Sequence, residues 1–265
     1  MDTDPALPSL FIPHGGGPCF FMDDPQGMWT PLADYLRGLP ASLARKPKAI
    51  LVVSGHWETR GFSFTGGENP PLLFDYYGFP PHTYELRYDA PGDPDLAKRA
   101  AALLVDAGFA AGVDYERGWD HGVFVPLKVA FPDADIPVVE MSLDRSLDPA
   151  LHIAAGRALA PLRDEGVLIV GSGMSFHNMR AYGDPRALPY SQAFDQWLTG
   201  AAAAEPAERA RLFAGWADAP AGRVLHPREE HLIPLMVAAG ASSAPGEHDF
   251  GGTVMGTRIS GYRFG

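Results

Sequence analysis

Four short apolar runs, residues 9–13, 49–55, 138–143 and 167–171, are spread along the chain with helix-length segments between them. Runs this short and mostly apolar suit strands buried on both sides, and strands of that kind are parallel and joined through crossover helices. Residues 253–264 form a last, end strand. Residues 94–107 open with Pro94 and Asp95, repeat apolar positions at helical spacing and stop at Gly108, which predicts a helix with both ends marked. Further helices are expected over 149–163, 191–203, 207–214 and 228–239, the last with Leu232, Leu235, Met236 and Ala239 on one face, and a shorter one over 123–131. The alternation predicts an α/β fold, a mostly parallel or mixed sheet flanked by helices. No linker divides the chain, so one domain over residues 1–265 is expected.

Three of the nine histidines fall where such a sheet places its ligands. His14 follows the first run, His56 the second, and His177 comes shortly after the fourth. Open parallel sheets bind ligands in the crevice beyond the carboxyl ends of their strands, and neutral imidazole is the commonest metal ligand. A metal site at the strand ends is therefore expected.

The surroundings of the other candidates leave alternatives open. His14 begins His14-Gly15-Gly16-Gly17-Pro18, whose glycines permit a tight turn and close approach of a ligand. His121 stands in Gly118-Trp119-Asp120-His121-Gly122, where Asp120 is either a carboxylate neighbour of the imidazole or a helix cap. Pro227 reads as an early helix position, which puts His226 at the cap and His231 about one turn in. Glu229 then complements the helix dipole, while Glu230 and His231 are candidate ligands. His82, His152 and His248 read as surface or local structural residues. Residues 66–92, rich in Pro, Gly and Tyr, are either a functional loop or an irregular covering layer.

Several function classes are disfavoured. A net charge of -11 argues against a nucleic-acid or anionic-membrane surface, which needs clustered Lys and Arg. Cys19 is the single cysteine; it permits no intramolecular disulfide or cysteine-based zinc finger, and as a nucleophile it is less expected than as a packing residue. Residues 1–9 carry Asp2 and Asp4 and do not resemble a secretory leader. No apolar run is long enough for a membrane span, so a cytoplasmic protein is expected. Ser172 lacks the Gly-x-Ser-x-Gly spacing of a nucleophile elbow, and no P-loop is present.

The motifs Pro13-His14-Gly15-Gly16, Val53-Ser54-Gly55-His56-Trp57, Tyr88-Asp89-Ala90-Pro91-Gly92, Trp119-Asp120-His121-Gly122, Ala134-Asp135-Ile136-Pro137-Val138, Phe176-His177-Asn178, Glu230-His231-Leu232-Ile233-Pro234-Leu235 and Gly261-Tyr262-Arg263-Phe264 occur in this order. Together they resemble the DOPA-dioxygenase branch of the class III extradiol ring-cleavage dioxygenases, from about Leu10 onward. The resemblance implies a mononuclear metal, Fe(II) for turnover and often Zn(II) in related proteins, held by His14, His56 and His231. It implies for His177 either a fourth ligand position or an acid/base role, and for His121 proton transfer. Many class III enzymes use two histidines and a glutamate, so Glu230 stands as the alternative ligand to His231. The implied reaction opens a catechol ring with O2 to a muconic semialdehyde; Trp57, Phe79, Trp119 and Tyr262 are expected pocket walls. A zinc hydrolase and a non-catalytic metal-binding protein remain alternatives on the same histidines, and the oligomeric state is left open.

Overall fold

In the computed structural model, which describes residues 5–265, the apolar runs are the middle of one eight-stranded mixed sheet. Its strands are β1 (Ser9–Pro13), β2 (Ala49–Thr59), β3 (Phe62–Thr65), β4 (Ala111–Asp114), β5 (Val138–Asp144), β6 (Val167–Gly173), β7 (Gly246–Val254) and β8 (Thr257–Phe264). Their order is β4-β3-β5-β2-β6-β1-β8-β7. The central four, β5-β2-β6-β1, are all parallel, so their carboxyl ends open on the same edge. Residues 1–4, part of the stretch read above for a leader, lie outside the described residues.

The helices are α1 (Thr30–Ser42), α2 (Pro94–Asp106), α3 (His121–Ala130), α4 (Pro149–Leu159), α5 (Pro161–Asp164), α6 (Ala187–Ala203), α7 (Pro206–Ala214), α8 (Gly222–Leu225) and α9 (Ile233–Gly240). α2 carries Pro94 and Asp95 in its first turn, as its sequence predicts, and is capped by Asp93, which accepts from Leu96 N–H. α9 is buried at every position, and an all-round apolar helix belongs in the centre of a core. Among the described residues no helix is long and apolar enough to cross a membrane.

Proline and turn chemistry account for most differences from expectation. The helix expected over 228–239 begins only at Ile233. Had it begun at Arg228, Pro234 would be interior, without an N–H and clashing with the Glu230 carbonyl; at the second helical position it is tolerated. Residues 226–232 are consequently irregular, so His226 opens no helix there but closes α8 as its C-terminal cap, and Glu229 faces no helix dipole but pairs with Arg223 at 2.5 Å. Pro161 likewise divides the expected 149–163 helix into α4 and α5. The single end strand is a hairpin, β7 and β8, turned at Met255 and Gly256, both at positive φ, the signature of a two-residue hairpin loop. α1 was not expected: Gly38 and Pro40 near its end obscure the stripe of Leu32, Leu36 and Leu39 that it buries.

Candidate metal centre

The carboxyl edge of β1, β6 and β2 gathers the histidines. His14 directly follows β1, its N–H bonded to Gly173 O at 3.1 Å. His56 lies within β2 rather than beyond it, where the pairing with β5 slips between Val53 and Glu58; such irregularities free a strand to aim side chains at a site. His177 follows β6, its N–H held by Leu225 O. His231 comes from the turn before α9, and that turn lies against the strands because two glycines leave room. A Cβ at Gly173 would run into His231 O, and one at Gly55 would stand 3.0 Å from Glu230 O. Met174 N–H donates to the same His231 carbonyl at 2.9 Å.

Nε2 of His14 and Nε2 of His56 are 3.3 Å apart. The ring of His231 is centred 5.2 Å from that of His14 and 4.7 Å from that of His56. The ring of His121 lies 4.0 Å from His56, and that of His177 stacks on His231 at 3.4 Å. In each ring Nδ1 faces an acceptor: Gly15 O for His14 (2.9 Å), Asp75 Oδ2 for His56 (3.5 Å), Asp75 Oδ1 for His121 (2.7 Å), and Glu230 Oε1 for both His231 (2.9 Å) and His177 (3.2 Å). An imidazole whose Nδ1–H is so engaged presents Nε2 as a lone pair.

Burial favours the neutral form of His14, His56 and His231. Burial, reinforced by the neighbouring imidazoles, holds His14 well below the usual histidine range; burial and His121 bring His56 down to about 4. His231 is also well below, burial outweighing the hydrogen bond to Glu230. Burial works to raise Asp75, but the His121 hydrogen bond and facing imidazoles prevail and hold it at about 2. For Glu230, too, bonds from His177 and His231 overcome burial and keep the carboxylate ionised.

The donor set fits a cation. Two imidazole nitrogens bound to one metal at about 2.0–2.1 Å and a tetrahedral angle stand roughly 3.3–3.4 Å apart, the separation of His14 and His56. Ligand atoms of His14, His56 and His121 lie within 4.8 Å of one another, as do those of His177, Glu230 and His231. Without a cation, two lone pairs facing each other at that distance would repel.

The structure thus brings His14, His56, His121, His177, Glu230 and His231 together. Asp120 caps α3 through Gly122 N–H, so of the two readings for it the cap is the one realised, and the carboxylate beside His121 is Asp75. That residue was missed, although Asp75 is the sole Asp, Glu, Lys or Arg between Glu68 and Glu85. It lies in the 66–92 loop, which is therefore more than a covering layer. Phe79 packs on the glycine turn, within 2.9 Å of where a Gly17 Cβ would stand. Trp119 and Tyr262 are fully buried, against Tyr88 and against Phe11 and Thr199 respectively, and Trp57 is buried beneath Arg117; these are core contacts rather than pocket walls.

The remaining singled-out residues are structural. Cys19 is buried, with burial pushing its thiol up to about 12, which suits packing and not nucleophilic attack. His152 is not at the surface but fully buried, bonded to Asp144 N and Asp148 O. His82 bonds Phe21 O, His248 bonds Ser260 Oγ, and buried His226 bonds Ser175 O.

Residues 8–259 match the protein family described as the catalytic LigB subunit of aromatic ring-opening dioxygenase. The chain is 40% identical to the 4,5-DOPA dioxygenase extradiol of Beta vulgaris, over 88% of this chain and 86% of that protein. It is 39% identical to the dioxygenase tasH of Hapsidospora irregularis, over 89% of this chain and 78% of that protein. Among solved structures, an uncharacterised protein of Escherichia coli K12 superposes with a TM-score of 0.79 at 31% identity, covering 98% of this chain and all of that one.

Proposed function

The chain belongs to the family of the catalytic LigB subunit of aromatic ring-opening dioxygenases, and from that premise we propose that it opens a catechol ring beside its two hydroxyls, using O2 and Fe(II), to give a muconic semialdehyde. The observation that carries this reading is the convergence of imidazoles whose Nδ1 atoms face acceptors, with Nε2 of His14 and Nε2 of His56 3.3 Å apart and the His231 ring beside both. The 4,5-DOPA dioxygenases among its relatives favour a DOPA-like catechol.

His14, His56 and His231 are the ligands in this reading. Glu230 stands on the Nδ1 side of His231 and His177, a position that orients both rings; His231, not Glu230, then binds the metal. Iron bound there supplies Lewis acidity and the electron transfer to dioxygen that ring opening requires. The chain supplies orientation and proton movement. His177, fixed by Glu230 and partly open to solvent, takes a catechol hydroxyl proton at Nε2 and later returns one. His121, fixed by Asp75 through both its backbone N–H and Nδ1, is the second proton-transfer group. Both roles suit imidazole, which titrates near neutral pH.

A histidine-only ligand set also suits zinc, so the metal that supports turnover decides between oxygen chemistry and hydrolysis. The test is anaerobic loading with Fe(II) or Zn(II), addition of a catechol, then air. The Fe(II) sample is expected to take up oxygen and turn yellow, and the Zn(II) sample to do neither. No uptake with Fe(II) across a panel of catechols would overturn the reading.

A further inference from the structure

Beneath the histidines lies a charged cluster that metal binding does not itself require. Glu140 is in the middle of β5, and its side chain, with those of Asp120 and Ser54, is fully buried. Burying ionised groups costs several kcal/mol each unless partners replace water. Here Asp120 N–H donates to Glu140 Oε2 at 3.3 Å. Arg117 Nη2 lies 3.2 Å from Asp120 Oδ2 and 3.7 Å from Glu140 Oε1, its guanidinium 4.9 Å above the Trp57 ring. One guanidinium cannot neutralise two carboxylates. Burial and the Asp120 charge push Glu140 well above the usual carboxylate range, which leaves it a proton to donate to Asp120.

The cluster reaches both histidine-bearing elements. Asp120 Oδ1 accepts from Ser54 Oγ at 2.7 Å and from Gly122 N–H at 3.0 Å. Ser54 Oγ in turn accepts the His56 N–H at 3.2 Å. One carboxylate therefore ties the slipped segment of β2 that carries His56 to the first turn of α3 that carries His121. We propose that Glu140 is a positioning residue: by fixing Asp120 it sets the placement of His56 against His121, a ligand against a proton-transfer group. The catalytic part of this claim rests on the ring-cleavage reading; the geometric part does not. A cluster serving only to hold the fold together would change stability without changing the metal's surroundings.

The holoenzyme is compared with Glu140→Gln, Glu140→Leu and Ser54→Ala, measuring the Co(II)-substituted absorption spectrum, kcat and KM for a catechol, and the melting temperature. Glutamine keeps an acceptor for Asp120 N–H and a donor toward its carboxylate, so Glu140→Gln is expected to keep the spectrum, with kcat within about threefold of the parent. Glu140→Leu is expected to shift the spectrum and lower kcat at least about tenfold, with KM changed less than about twofold. Ser54→Ala, which leaves the acidic pair in place, is expected to shift the spectrum in the same direction. The proposal is overturned if Glu140→Leu keeps the parental spectrum and kcat, or if Glu140→Gln loses as much as Glu140→Leu. It is equally overturned if Glu140→Leu fails to fold and Ser54→Ala matches the parent. Should the parent itself take up no oxygen, ring cleavage falls, and the Co(II) spectra alone still decide whether Glu140 positions the site.

Discussion

Asp75 and His121 are joined twice, the His121 backbone N–H at 2.9 Å and its Nδ1 at 2.7 Å both meeting Oδ1 of the one carboxylate. The other oxygen of Asp75 faces His56 Nδ1, so a single loop residue orients two rings of the site. Asp75→Asn is expected to leave the fold and bound metal in place while lowering kcat about 10–100-fold. Steady-state kinetics alongside metal analysis check this, and an unchanged kcat would remove Asp75 from the site.

Glu230 and His231 should separate cleanly by metal content. His231→Ala, His14→Ala and His56→Ala each remove a proposed ligand and are expected to leave little metal bound. Glu230→Gln is expected to retain metal with affinity weakened about 10–100-fold, read by chelator competition. The reverse pattern would make Glu230 the ligand.

His177→Ala is expected to keep its metal and lose turnover by about 10²–10⁴-fold, the usual contribution of a positioned acid/base group. Loss of metal in this variant would make His177 a ligand.

Much of this site is legible in the sequence, and the reason is topological. His14, His56 and His177 stand near the ends of runs that become adjacent parallel strands, so position along the chain translates directly into a shared edge. Asp75 has no such signal, because residues 66–92 lack a period and meet His121 only once the loop folds back over α3. Glu140 was hidden in a buried strand, its partners distant in sequence. Trp119 and Tyr262 were misjudged because residue type does not say which side of a strand or turn faces the crevice. The 228–239 helix failed for a local reason that was readable, Pro234, whose effect on position 230 matters more than the apolar spacing around it.

Acid should weaken the metal-free fold through histidines that are neutral when folded. His226 is fully buried between Phe194 and Trp216, and burial lowers it from 6.5 to about 4; burial and the neighbouring His121 move His56 likewise. The folded state then binds fewer protons than the unfolded one, so this stabilisation is present above pH 6.5 and is lost as pH falls toward 4, by about 3 kcal/mol for His226. Asp75, held at about 2, keeps its charge across that window. Urea midpoints at several pH values should decline between these limits, with a shallower decline in His226→Gln.

Gly173→Ala tests the close approach of β6 to the His231 turn. The added methyl meets His231 O, so the turn must move; a loss of about 1–3 kcal/mol in stability and of metal affinity is expected, measured by denaturant titration and metal analysis.

The most direct measurement is the product formed by the Fe(II)-loaded protein from a catechol under isotopically labelled dioxygen, analysed by mass spectrometry after reduction of the aldehyde to prevent exchange. Both oxygen atoms of one O2 molecule in a ring-opened semialdehyde is the predicted result. An unopened ring, or product oxygen drawn only from water, would contradict the account.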